Sequence, residues 1–162
     1  MEYYSLVVLQ KTLESFAREF LKESYGLDLE IPVSINGRLK STYGRFIYDG
    51  ATKNPLRIEI GKNYIDYQEW ERVVGVLKHE LIHYALFMQN LPFEDGHPVF
   101  EAELKKHDSP STGNIKYRGK VVVYVCSGCG HEFKRKRRYS KNSTYVSGCC
   151  NKPIEFKGER FV

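Results

Sequence analysis

The chain has 162 residues, enough for one domain of ordinary size or a small domain with an appendage, and enough to bury an apolar core. Hydrophobic residues make up 41% and charged residues 28%, the balance of a soluble globular protein; no apolar run approaches the roughly eighteen residues of a membrane span, and Met1-Glu2-Tyr3-Tyr4-Ser5 lacks the basic start and apolar core of a signal peptide. A cytoplasmic location is the expectation, and four cysteines there read as metal ligands before disulfides.

The net charge of +5 is unevenly placed. Residues 1–115 carry 13 Lys and Arg against 17 Asp and Glu, whereas residues 116–162 carry 12 against 3. Such segregation points to a polyanionic partner, nucleic acid before membrane, because no amphipathic apolar stripe accompanies the basic residues.

From the N-terminus, Leu6, Leu9, Leu13, Phe16, Ala17, Phe20 and Leu21 recur at helical spacing, and Gly26 is placed to end that helix. Three β-compatible runs follow, Ile31–Ile35, Tyr43–Asp49 and Leu56–Ile60, separated by Asn36-Gly37 and by the turn-forming stretch Asp49–Pro55. They predict a small antiparallel sheet and an α+β order, with one sheet edge above a cleft and open to strand addition by an extended peptide.

A helix-compatible run from about Asp66 to Asn90 comes next, with Val74, Leu77, Leu81 and Ala85 on one face. It contains His79-Glu80-Leu81-Ile82-His83, the pattern H-E-x-x-H. Residues four apart on a helix project from one side, so the two imidazoles can bind one metal ion with Glu80 beside them. A metal acidifies water, and a nearby carboxylate takes its proton and returns it to a leaving amine, which is the chemistry of zinc-dependent peptide hydrolysis. Three ionisable groups in an apolar helix are costly unless compensated, and a metal compensates them.

Catalytic zinc sites usually have three protein ligands. A metzincin would place Gly and His three and six residues after the second His, where this chain has Leu86 and Gln89. His97, opening a second predicted helix over Val99–Lys106, is the preferred third ligand, with Glu101 or Glu103 as the competing choice. His107 reads as a solvated partner of that helix's C-terminus, and His131 belongs to another segment.

A linker over Asp108–Asn114 leads to the β-rich run Lys120–Val125 and then to Cys126-Ser127-Gly128-Cys129-Gly130, the shape of a zinc knuckle. The remaining cysteines, Cys149 and Cys150, are adjacent, and Ser147 stands where a second Cys-x-x-Cys would need a thiol. Adjacent thiolates share a tetrahedral ion only with strained backbone, so a zinc-bearing ribbon and a metal-free one both stay open. Between the knuckles lie Lys134, Arg135, Lys136, Arg137 and Arg138, which can neutralise phosphates while Phe133, Tyr139 and Tyr145 stack on unpaired bases, or can simply be a solvated hairpin edge.

These residues together resemble the SprT-like zinc metalloproteases, whose eukaryotic relatives include the Spartan protease of DNA–protein crosslink repair. The resemblance covers nearly the whole chain. It rests on H-E-x-x-H at 79–83, Gly96-His97 before an aromatic, Arg38-Leu39-Lys40-Ser41-Thr42-Tyr43-Gly44-Arg45-Phe46, and the tail with Arg137-Arg138. It implies a zincin-like domain over residues 1–112 and a zinc-ribbon-like basic domain over residues 117–162. It also implies His79, His83 and His97 as zinc ligands, Glu80 as general base, and Cys126, Cys129 and Cys150 as ribbon ligands. Two departures stand out: Ser147 replaces an expected cysteine, and Phe100 follows His97 closely.

Two functions follow as expectations. One is a metallopeptidase with one catalytic and one structural zinc, acting on a protein or peptide and brought to DNA or nucleoprotein by its tail. The other is a non-catalytic, zinc-containing nucleic-acid-binding adaptor. A metal-dependent nuclease fits less well, because two-metal phosphoryl chemistry usually needs bridging acids.

Overall fold

The structure is a computed structural model that describes residues 2–39, 42–111, 120–142 and 144–161. Lys40, Ser41 and the part of the expected linker beyond Ser111 lie outside them. The chain divides into two compact units, residues 1–116 and 117–162.

Unit 1 begins with α1 (Glu2–Tyr25), whose Leu13, Ala17, Phe20 and Leu21 are buried. Gly26, at φ 65°, ends it by turning its amide onto the Lys22 carbonyl at 3.0 Å. Strands β1 (Val33–Asn36), β2 (Gly44–Asp49) and β3 (Asn54–Gly61) form one sheet in the order β1-β3-β2. The expectation of an antiparallel sheet is corrected: β2 and β3 are an antiparallel hairpin, but β1 runs parallel to β3, with Val33 opposite Ile58 and Ile35 opposite Ile60. The short hairpin loop forces the first pairing, whereas no tight turn joins β1 to β3. Their pairing is set by burial of Val33, Ile58 and Ile60 in one core.

The single helical run expected over 66–90 is two helices, α2 (Lys62–Tyr67) and α3 (Trp70–Met88), separated at Gln68 and Glu69, where the backbone is extended. Helix α3 is the centre of the unit. Val73, Val76, Leu77, Leu81, Ile82, Tyr84, Ala85 and Leu86 are all buried, so it is covered on most sides rather than along one stripe, and Val74 of the expected face is only half-buried. Tyr84 shows why a polar group is tolerated there: its hydroxyl donates to the Asp28 carbonyl at 3.1 Å and accepts the Glu30 amide at 3.3 Å. A loop then leads to α4 (Pro98–Lys106), which buries Phe100 and Leu104 and has proline at its first position.

Unit 2 is a three-stranded antiparallel sheet in the order β5-β4-β6, from β4 (Lys120–Cys126), β5 (Glu132–Arg135) and β6 (Ile154–Phe161). Val121, Val122, Val123, Tyr124 and Cys126 of the central strand are buried. Among the described residues, no helix is long and apolar enough to cross a membrane.

Candidate metal centres

Helix α3 carries His79 and His83 one turn apart, and both are oriented by backbone carbonyls. His79 Nδ1 lies 2.9 Å from the Pro110 carbonyl oxygen and His83 Nδ1 lies 2.5 Å from that of Phe93. A carbonyl only accepts, so each Nδ1 is the donor, and each ring presents Nε2 on its other side. The two Nε2 atoms meet at one point, 3.1 and 3.4 Å from the same Asp95 oxygen. Phe100 underlies the pair, stacked on His83 at 4.0 Å between ring centres and edge-on to His79 at 5.2 Å. Burial, then the neighbouring His79, lowers the His83 pKa and favours the neutral, metal-binding imidazole.

Glu80 points into the same cleft, buried at 7% exposure. Burial chiefly, and then the charge of Asp95, push its carboxyl up to about 8, against a hydrogen bond from the Phe46 amide. The cleft has a volume of about 440 Å³, and Gly44, Phe46 and Tyr48 of the edge strand β2 line it opposite His79, Glu80 and His83.

Donor chemistry fits a zinc-type cation. Ligand atoms 2.0–2.1 Å from a tetrahedral ion stand about 3.3 Å apart, and the Nε2-to-carboxylate separations here are 3.1 and 3.4 Å. Two imidazoles and a carboxylate also leave a fourth position open, as catalytic zinc sites do. A cation there opposes both influences that raise Glu80.

The three-histidine set expected from the sequence is not what the structure assembles. His79, His83 and Asp95 come together, and His97 does not join them. His97 is the exposed N-cap of α4, and its Nδ1 accepts the Val99 amide at 3.2 Å. A neutral imidazole that accepts at Nδ1 carries its proton on Nε2, leaving no lone pair there for a metal. Gly96, at φ 81°, turns the chain between Asp95 and His97. The competing carboxylates are engaged elsewhere: Glu101 accepts the Gly96 amide at 3.1 Å, and Glu103 accepts the Tyr25 hydroxyl at 2.7 Å. His107 is the C-cap of α4, its amide donating to the Glu103 carbonyl at 3.1 Å, but its ring is not solvated: it packs 5.2 Å from Phe20 and 5.4 Å from Tyr25, and burial lowers its pKa.

A second donor cluster lies in unit 2. The sulfurs of Cys126, Cys129, Cys149 and Cys150 all fall within 4.8 Å of one another, with Cys129 and Cys149 at 3.4 Å. Tetrahedral zinc–thiolate bonds of 2.3 Å place sulfurs about 3.8 Å apart, so four thiols in this arrangement suit one ion. The adjacent Cys149-Cys150 pair is accommodated by a tight turn closed from Ser147 to Asn151, with Asn151 at φ 53°. Ser147, where a thiol was expected, is buried at the base of that turn. Its hydroxyl accepts the Cys150 and Lys152 amides, each at 3.3 Å, and sits 3.1 Å from Cys126 Sγ. That hydroxyl, followed by the Cys129 amide, brings the Cys126 thiol down to about 6 and favours the thiolate a metal needs.

All five residues of the basic run are exposed. The Arg135 guanidinium lies 3.7 Å over the Tyr139 ring and that of Arg138 4.4 Å over Phe156, while Tyr139 stacks on Tyr145 at 3.8 Å. Some of the charge is compensated: Arg138 and Lys120 pair with Glu159, and Arg160 and Lys134 with Glu132.

Sequence reasoning missed Asp95, Phe100 and the two orienting carbonyls of Phe93 and Pro110. Asp95 left a trace as an acidic residue beside a glycine in the loop between the helices, and Phe100 as the aromatic following His97, with no role at the metal read into either.

The SprT-like family model matches residues 9–114. Protein SprT-like of Geobacillus kaustophilus (strain HTA426) is 27% identical over 151 residues, 90% of this chain and 97% of that protein. Protein SprT-like of Geobacillus sp. (strain WCH70) is 30% identical over 148 residues, spanning 88% and 89%, and that of Bacillus cereus (strain ATCC 10987 / NRS 248) is 28% identical over 145, spanning 87% and 91%. With the family model matching from α1 past both histidines, over residues 9–114, the chain belongs to the SprT-like family.

Proposed function

We propose that this protein is a zinc-dependent peptidase with a zincin-like catalytic unit. The observation that carries the reading is the convergence of His79 and His83 Nε2 on one point, with the buried Glu80 beside them under an edge strand. His79, His83 and Asp95 hold the cation. When bound, zinc polarises a carbonyl and lowers the pKa of water to about 7.

The remaining steps belong to the chain. An extended peptide adds to the outer edge of β2, where backbone groups fix its register irrespective of its sequence. The Phe46 amide on the same strand holds the Glu80 carboxylate. Glu80 takes a proton from the attacking water and delivers it to the amine of the cleaved bond. Phe46 and Phe93 give the cleft apolar walls, and Phe100 backs the His83 ring.

The test is Glu80→Gln against an unfolded protein substrate. Zinc is retained and hydrolysis falls by about 10²–10⁴, the usual weight of a general base; undiminished hydrolysis ends the mechanism.

A second role for unit 2 is favoured by its exposed cations and half-exposed Tyr145 and Phe156, 42% and 45% accessible. In this reading the Cys cluster holds a structural zinc, and Lys134–Arg138 bind nucleic acid through phosphates, bringing DNA-associated proteins to the cleft. Binding then weakens steeply with salt and falls with charge reversal at Arg137 and Lys136. Nucleic-acid binding unaccompanied by any hydrolysis would favour the adaptor instead.

A further inference from the structure

Residues 109–111 read in the sequence as part of a linker, yet they are tied to the end of α4 at one point and to α3 at two. The Ser109 amide donates to the Leu104 carbonyl at 2.8 Å, its hydroxyl donates to the Gly75 carbonyl at 3.1 Å, and the Pro110 carbonyl meets His79 Nδ1 at 2.9 Å. Ser109 is buried, at 8% exposure. The approach is close because position 75 has no side chain: a β-carbon there would stand 3.2 Å from Pro110 Cδ and 3.6 Å from its Cγ. Gly75 is one helical turn before His79, so whatever is clipped to residue 75 lies along the same side of α3 as the His79 ring.

A glycine within a helix costs conformational stability relative to alanine, and nothing in the local course of α3 requires one at this position. The crossing strap does. Proline adds to the effect, because its fixed φ limits the ways the 109–111 backbone can turn its carbonyl away.

We propose that Gly75, Ser109 and Pro110 form a positioning strap for the metal centre. The hydroxyl clip seats the strap on α3, the seat aims the Pro110 carbonyl at Nδ1 of His79, and the carbonyl holds the proton there so that Nε2 stays free for the cation. These are positioning residues: they act through His79 and touch no substrate. The inference rests on the reading of His79 and His83 as metal ligands, and not on whether the protein cleaves peptides.

The test uses the full-length protein loaded with zinc and compares wild type with Ser109→Ala and Gly75→Ala. The zinc that His83→Ala removes defines the histidine centre and separates it from any thiol-bound ion. Nuclear magnetic resonance of the imidazoles reads the strap directly: wild type shows an exchange-protected His79 Nδ1–H proton, and both variants lose that protection. Competition with a chelator shows zinc at the histidine centre weakened by about 10–100-fold, the usual effect of removing an outer hydrogen-bond partner. Alanine favours a helix over glycine, which offsets the cost of moving Pro110, so Gly75→Ala weakens zinc far more than it changes the melting temperature of the metal-free protein, a split that loss of packing alone would not give. Unchanged proton protection and unchanged zinc affinity in a folded Gly75→Ala protein overturn the strap, whatever Ser109→Ala does to folding. A wild type with no His83-dependent zinc removes the metal reading itself, whereas graded zinc loss in a protein that cleaves nothing keeps the strap and removes only the peptidase reading.

Discussion

Gly44 and Glu80 touch across the cleft: a β-carbon on Gly44 would stand 3.2 Å from Cγ of Glu80, and only 2.9 Å from Cγ1 of Val76. The edge strand therefore rests directly on the helix at the residue assigned as the base. Adding a methyl group requires β2 or α3 to move. Gly44→Ala is expected to cost about 1–3 kcal/mol of stability through overpacking. It also displaces the Phe46 amide from the Glu80 carboxylate, so hydrolysis falls more than zinc content does. Thermal melts, elemental analysis and a peptidase assay on one preparation separate the effects; full activity would show that the contact is not part of the site.

Asp95 and His97 make opposite predictions about metal. Asp95 stands at both Nε2 atoms, whereas His97 caps α4 through the Val99 amide. Asp95→Ala should lose His83-dependent zinc, with affinity down tenfold or more. His97→Ala should keep the metal and lose only an N-cap, about 1 kcal/mol of helix stability. Zinc measured on the two variants decides the third donor, and loss on His97→Ala alone would restore the three-histidine set.

Glu59 gives an acid-stability prediction independent of metal. Its carboxylate is buried on β3; burial alone would raise its pKa, but hydrogen bonds from Arg57, Asn36 and Arg45 outweigh it and hold the group down at about 2. The folded value lies below the unfolded one of 4.5, so the stabilisation is complete above pH 4.5 and is lost as pH falls toward 2. The arginines are nearly half exposed, which screens the pairing, and the contribution is on the order of 2 kcal/mol. With a chelator present throughout, the stability gap between wild type and Glu59→Gln should narrow across that window. A gap that does not change with pH would show that the arginines do not hold the carboxylate ionised.

The core of the site was legible because it is local. Two histidines four apart need only a helix to share a side, and the apolar spacing of α3 supplied that helix. Glu80 came with them. Asp95 was not legible, because its position depends on the turn at Gly96 and on which group the Val99 amide takes, neither of which has a periodic signature. The same holds for β1: its parallel partner is chosen by burial across the core and not by any adjacent turn. Ser147 misled in the opposite direction. Read as a lost ligand it argued against a metal, yet its hydroxyl organises the turn that carries Cys149 and Cys150.

That turn yields the final prediction. If the four thiols share an ion, wild type contains two zinc equivalents, His83→Ala removes one, and Cys126→Ala removes the other. Ser147→Ala should weaken only the thiol-bound ion, because it strips two amides and the Cys126 sulfur of their hydroxyl partner while leaving unit 1 untouched. Elemental analysis gives the stoichiometry, and the thiolate bands of the cobalt-substituted protein identify the site. One zinc that survives Cys126→Ala would make unit 2 a metal-free basic sheet held by its valine core. Its cations would then have to bind nucleic acid from a scaffold without the knuckle, and the Ser147 hydroxyl would be a structural cap and nothing more.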